Sequence, residues 1–163
     1  MNLVLGRLGP EDVEEAVRMI VEALHESYIT DAEIQMGVAL DERTVSDRAP
    51  EIYRREFMEL LKDDDAFLPA ARVENELAGF AVAVVEDDVV DLWDLVVKRK
   101  FRRMGIATAL IGEVERFARD RGCYGIKLDV NLNNYEAIRL YERLGFRRIS
   151  YIMQKGDRLR GLG

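Results

Sequence analysis

The segment Lys98-Arg99-Lys100-Phe101-Arg102-Arg103 sets five cations in six positions, directly ahead of Met104-Gly105-Ile106-Ala107-Thr108. Charge of that density can hold a nucleic-acid backbone, hold a small polyanion, or simply be solvated on a turn. A glycine and a small residue where a helix begins leave backbone N–H groups open to an anion, and the helix end carries a partial positive charge. One such contact is worth only about 0.3–1 kcal/mol, so the flanking arginines must supply much of the attraction. The segment is no Walker loop, lacking the Gly-Lys-Ser/Thr ending, and no dinucleotide fingerprint, lacking the second glycine. Alone, it supports the small-polyanion and solvated-turn readings about equally.

Composition narrows the choice. The chain has 163 residues, with 24 Lys and Arg against 31 Asp and Glu and a net charge of -7. An acidic protein is poorly suited to non-specific nucleic-acid binding, which needs a basic face to displace counterions. The balance is compatible with a cationic substrate. No apolar stretch approaches the roughly 20 residues of a membrane span, and the opening MNLVLGRLGPEDVEE does not read as a signal peptide. Cys123 is the single cysteine, which leaves no internal disulfide and suits a reducing cytoplasm. With His25 as the single histidine, a zinc site of the usual Cys/His kind, and hence a metal, is not expected.

The elements that must position these residues follow from hydrophobic period. Residues 3–8 form a short strand, and Pro10 suits the first position of a helix carrying Val13, Ala16, Val17, Ile20, Val21 and Leu24 at helical spacing. Residues 26–48 read as a polar loop with a short helical turn, and 50–62 as a second helix. Residues 66–74, 77–85 and 89–97 are β-rich runs with tight polar connections, hence antiparallel hairpins. A helix over 105–121, a buried strand over 123–130, a helix over 134–144 and a final strand over 146–154 complete the chain. No linker or repeat interrupts it, so residues 1–163 read as one domain of α+β class, with a central mixed, mostly antiparallel sheet flanked by about four helices.

A second segment, Asn134-Tyr135-Glu136-Ala137-Ile138-Arg139-Leu140-Tyr141 and on to Gly145-Phe146, follows the next strand. Together the two segments resemble the GCN5-related N-acetyltransferase (GNAT) superfamily. Its acyl-CoA motif runs Arg/Gln-x-x-Gly-x-Gly/Ala, and its later motif runs Asn-x-x-Ala-x-x-x-Tyr and ends in Gly-Phe. The likeness covers roughly residues 77–154 by motif and the whole chain by element order. It implies an acetyl-CoA-dependent N-acetyltransferase acting on a primary amine: a protein N-terminus or lysine, or a small amine. CoA is itself a small polyanion, so the basic cluster then needs no nucleic acid or membrane to explain it. In such families dimers are frequent, so a homodimer is a natural expectation.

Residue by residue, the resemblance implies that main-chain groups of Leu95, Val96 and Val97 meet the pantetheine arm. The pyrophosphate would lie on N–H groups of Arg102, Arg103, Met104, Gly105, Ile106 and Ala107, with the Thr108 hydroxyl near. Asn134 would bond the pantetheine or phosphate region, although it suits a helix N-cap equally well. Tyr141 would direct its hydroxyl at the CoA sulfur; a phenol of pKa about 10 can donate to a thiolate of pKa about 8.5 as it forms. The alternative is a core aromatic. Arg99 and Arg103 stand where the family often has proline and glycine, which adds charge where the ribose phosphate could reach.

Three carboxylates lie where family members place a general base: Asp129 and Asp91, ranked equally, and Asp94 behind them. Asp91 and Asp94 are three positions apart on one strand, so without a bulge they face opposite sides of the sheet. His25 and Glu26 could line the acceptor side. A non-catalytic acyl-CoA-binding module, with the cofactor site intact and no working base, is the rival from another class.

Overall fold

The computed structural model describes residues 2–153 and residue 155. Strand β1 (Leu3–Arg7) leads through a 3-10 turn at Pro10–Asp12 into α1 (Val13–Glu26), so the α-helix begins three residues after Pro10. Asp12 explains the delay. Its carboxylate accepts from the Gly9 N–H at 2.8 Å and from Arg72 at 2.6 Å, which pins the turn to the sheet. The polar stretch after α1 contains a short helix, α2 (Asp31–Met36), opened by a capping box between Thr30 and Glu33. Helix α3 (Ala49–Leu60) follows, then β2 (Ala66–Phe67), β3 (Pro69–Val73), β4 (Glu76–Glu86) and β5 (Val89–Val97). The β3–β4 turn has positive φ at both Glu74 and Asn75, as a two-residue hairpin requires. Helix α4 (Ile106–Asp120), β6 (Gly125–Lys127) and α5 (Tyr135–Arg143) complete the described elements.

The strands form one sheet in the order β1-β3-β4-β5-β6, with β2 also pairing β4. All pairings are antiparallel except β5 with β6. Helices cover both faces. On one, α1 and α3 bury Val17, Ile20, Leu24, Tyr53 and Phe57 against Phe80, Val82, Val84 and Val96. On the other, α4 buries Ile111, Val114 and Ala118 against Ala81, Ala83, Val90 and Leu92, and Ile106 and Leu110 against Ala71 and Ala78. Gly79 makes the α4 contact tight: a Cβ there would lie 2.9 Å from the Val96 carbonyl oxygen and 3.1 Å from Ile106 Cγ2.

Two expected strands are shorter or missing. Of 123–130 only Gly125–Lys127 is strand, and residues 146–153 contain none; Gln154, the end of the expected final strand, lies outside the described residues. The apolar pattern is there in both, but a strand exists only where a neighbour completes its ladder. The β5–β6 ladder ends at the Asp91–Lys127 pair, and no described strand borders β6 on its other side.

Candidate active site

That short ladder creates the cleft. Val89, Val90 and Asp91 pair with Gly125, Ile126 and Lys127, and beyond Asp91 the β6-facing edge of β5 has no strand partner among the described residues. The side chains of Leu95, Val96 and Val97 pack into the core, Val96 toward α1 and α3, and Leu95 and Val97 toward α4. Their main chain borders the split, so one stretch both fills the core and offers backbone groups to a ligand.

At the far end of β5 the chain passes through a 3-10 turn (Arg99–Phe101) into the loop ahead of α4. Arg103 and Gly105 both take positive φ, at 62° and 80°. The first bond of the α4 region runs from the Ala109 N–H to the Gly105 carbonyl, at 3.0 Å. The N–H groups of Arg103, Met104, Gly105, Ile106, Ala107 and Thr108 therefore have no acceptor among the described residues. Six consecutive open donors, partly in left-handed backbone and at a helix N-terminus, form a concavity suited to a phosphate. Residues 102–105 and Thr108 are exposed, whereas Ile106 is core.

The basic side chains are less available than their sequence suggests. Lys98 pairs with Glu15 and, at 3.4 Å, with Glu76; Lys100 pairs with Glu76 at 2.7 Å. Arg99 and Arg102 share the Glu26 carboxylate, at 2.7 and 3.2 Å, and Arg102 Nε also donates to the Val97 carbonyl at 3.2 Å. Arg103 has no partner among the described residues.

Within β5 itself a bulge decides the geometry. Asp91 lies opposite Val84 and Leu92 opposite Ala83, but Asp94 lies opposite Val82, so Trp93 is the extra residue. The expectation that Asp91 and Asp94 face opposite sides is thereby overturned: both share the α1/α3 face with Val82 and Val84. Their surroundings differ. Asp91 sits at the closed end of the split beside Glu86 and Lys127; burial, then a hydrogen bond that its protonated form donates to the Glu86 carboxylate and the charge of Glu86, push it up to about 6. Asp94 is half-buried and has no hydrogen-bond or ion-pair partner among the described residues. Burial, and then the charges of Glu56 and Glu33, push its carboxyl up to about 8. Glu56 is likewise pushed up to about 7, first by burial and then by Glu59. Asp129 lies two residues beyond β6, exposed.

Tyr141 approaches from the α4 side, half-buried, with its ring 5.5 Å from that of Phe146. Burial and then the Asp94 charge push its phenol up to about 12, so the split brings Tyr141 within the field of a carboxylate on the opposite face. Its hydroxyl makes no hydrogen bond among the described residues. Asn134 caps α5, its side-chain oxygen accepting from the Ala137 N–H at 3.3 Å. His25 is exposed on a shallow groove between α1 and α3, with Val21 and Arg54, whereas Glu26 turns to the basic loop.

An open-donor loop after a split parallel pair, with a tyrosine reaching across from the last helix, is the arrangement of an acyl-CoA-dependent transferase. The chain belongs to the acetyltransferase (GNAT) family, whose model matches residues 22–146, and it is an N-acetyltransferase, an enzyme that transfers an acetyl group to an amine. It is 28% identical over 143 residues to a streptothricin acetyltransferase from Escherichia coli, across 84% of this chain and 77% of that protein. It is 30% identical over 109 residues to an N-alpha-acetyltransferase from Saccharolobus solfataricus, across 59% of this chain and 65% of that one. The fold matches a PaiA N-acetyltransferase from Thermoplasma acidophilum in complex with coenzyme A (TM-score 0.74, 19% identity, 90% of this chain and 91% of that one). It also matches the aminoglycoside N-acetyltransferase AAC(6')-Iy in complex with CoA (TM-score 0.72, 18% identity, 96% and 95%).

Sequence reasoning ranked Asp94 last of three carboxylates and missed Glu33 and Glu56. The β-bulge leaves no mark in a single strand's pattern beyond an exposed Trp93, 42% accessible, where an inward residue is due.

Proposed function

We propose that the chain, as one domain, moves an acetyl group from acetyl-CoA to a primary amine of a small, cationic acceptor by direct attack. Acetyl-CoA, when bound, supplies the electrophilic thioester carbon and a sulfur leaving group. The open N–H groups from Arg103 to Thr108, with the Arg103 side chain, hold its phosphates, and the main chain of Leu95, Val96 and Val97 aligns its pantetheine arm along the split.

Asp94 accepts the proton of the attacking amine, directly or through a water. A base is needed because a lysine-like amine, of pKa about 10.4, is mostly protonated near neutrality. A base contributes about 10²–10⁴-fold, most effectively when its own pKa lies near the working pH. An unpartnered carboxylate pushed up to about 8 meets that condition. Tyr141, protonated throughout the physiological range, donates to the departing sulfur. Glu33 and Glu56 give the α2 and α3 side of the cleft a negative potential that favours a cation. The observation that carries the reading is the position of Asp94: on the bulge, beside the split, facing Tyr141's field, with no counter-ion among the described residues. Asp91 and Asp129 are weaker candidates, the first beside Glu86 and Lys127 and the second exposed.

The streptothricin acetyltransferase among its relatives supports a small amine as acceptor, and the N-alpha-acetyltransferase supports a protein N-terminus; the unpaired carboxylates of the cleft favour the small cationic amine. The test is thiol release from acetyl-CoA across a panel of diamines, polyamines, aminoglycosides, neutral amines and peptides. Polycationic small amines should turn over fastest; a preference for peptides or neutral amines would overturn the acceptor class.

A further inference from the structure

Glu26 ties the end of α1 to the basic loop ahead of α4. Glu26 is the last residue of α1, and its carboxylate reaches two arginines more than seventy residues away: Arg99 at 2.7 Å through one oxygen and Arg102 at 3.2 Å through the other. Hydrogen bonds from both, working against burial, hold that carboxyl below the usual carboxylate range. Arg99 and Arg102 belong to the segment that leads into the run of six open N–H groups, and Arg102 is further anchored by its bond to the Val97 carbonyl. A carboxylate held by two arginines of the segment that leads into the open N–H groups makes the contacts a phosphate would make with them.

We infer that Glu26 is a resident counter-anion of the cofactor loop, holding Arg99 and Arg102 in place until a phosphate of CoA displaces its carboxylate. The inference rests on the cofactor assignment above. A phosphate carries more charge than a carboxylate and offers more oxygens to two guanidiniums at once, so it takes the place over. Displacement is cheap because Glu26 is partly exposed and can be rehydrated, and exposed ion pairs of this kind hold their partners only weakly. Glu26 then sets the cofactor's affinity through the arginines without touching the reacting atoms. It is a positioning residue.

The test is calorimetric binding of CoA and of dephospho-CoA to the intact wild-type chain, Glu26→Gln, Glu26→Ala and, as a charge control on the exposed flank of α1, Glu22→Gln. Both Glu26 variants should bind CoA about two- to fivefold tighter than wild type, the gain expected from removing a competing exposed pair. Glu22→Gln should match wild type. A gain kept with dephospho-CoA assigns the displacing group to the pyrophosphate; a gain seen only with CoA assigns it to the ribose phosphate. Weaker or unchanged CoA binding in both Glu26 variants, or an equal gain in Glu22→Gln, overturns the counter-anion role while leaving the cofactor site standing. No CoA binding by wild type overturns the cofactor assignment itself.

Discussion

Two charged regions border the split in the sheet, and they are built in opposite ways. The loop from Lys98 to Arg103 is dense in cations, yet Lys98, Lys100, Arg99 and Arg102 are all matched by Glu15, Glu76 and Glu26. The wall holding Asp94 and Glu56 has fewer charges, yet neither carboxylate meets a cation among the described residues. Charge already matched within a protein is free to organise a loop; charge left unmatched and partly desolvated is destabilising and waits for a ligand. On this account the anion is held by open backbone donors more than by the conspicuous side chains, and the cation by carboxylates that sequence alone hardly marks.

The largest effect that can break this comparison is expected at Asp94. Asp94→Asn should lower kcat by about 10²–10⁴-fold with CoA affinity unchanged, and should remove the rise of kcat toward about pH 8 expected of wild type. An unaltered pH profile would pass the role to Asp91 or to water. Tyr141→Phe comes next, lowering kcat by about 10²-fold with little change in CoA affinity; full activity would return Tyr141 to the core.

The two arginines sharpen the contrast between matched and open charge. Arg103→Gln should weaken CoA binding about tenfold, because Arg103 is the cation without a partner there among the described residues. Arg102→Gln, already engaged by Glu26 and the Val97 carbonyl, should cost about two- to threefold. The reverse ranking would mean that the paired cations, not the open ones, hold the cofactor.

The smallest effect is on stability. Asp94 is held above its ordinary carboxylate range, so the folded state binds its proton more tightly than the unfolded chain does. Its contribution is then fully present below about pH 4 and is lost as pH rises toward about 8. Asp94→Asn should therefore raise Tm at pH 8.5 and change it little at pH 4. Thermal melts at both values check the sign, and a gain confined to acid pH would contradict it.

Much of this was legible without coordinates. Helical spacing in α1 and α4, the hairpins around β4, the glycine at the start of α4 and the Asn134–Tyr141 segment are local patterns, set by neighbours a few residues apart. Less legible was the extent of the last strands, because their apolar pattern needs a partner to become a ladder and β5 and β6 part after Asp91. The ranking of carboxylates was hidden for a related reason. Register between β4 and β5 is a property of two strands, and one extra residue, Trp93, turns Asp94 to the face of Asp91.

The sequence by itself determined the α+β order, the family and the loop on which a polyanion can rest, because each is written in short-range spacing. Only the tertiary structure decided which charges remain open. Glu26 and Arg102 stand 76 positions apart, and Asp94 feels Glu56, Glu33 and Tyr141 from three different helices. Electrostatic pairing and desolvation depend on distances in space, and those exist only once the chain has packed.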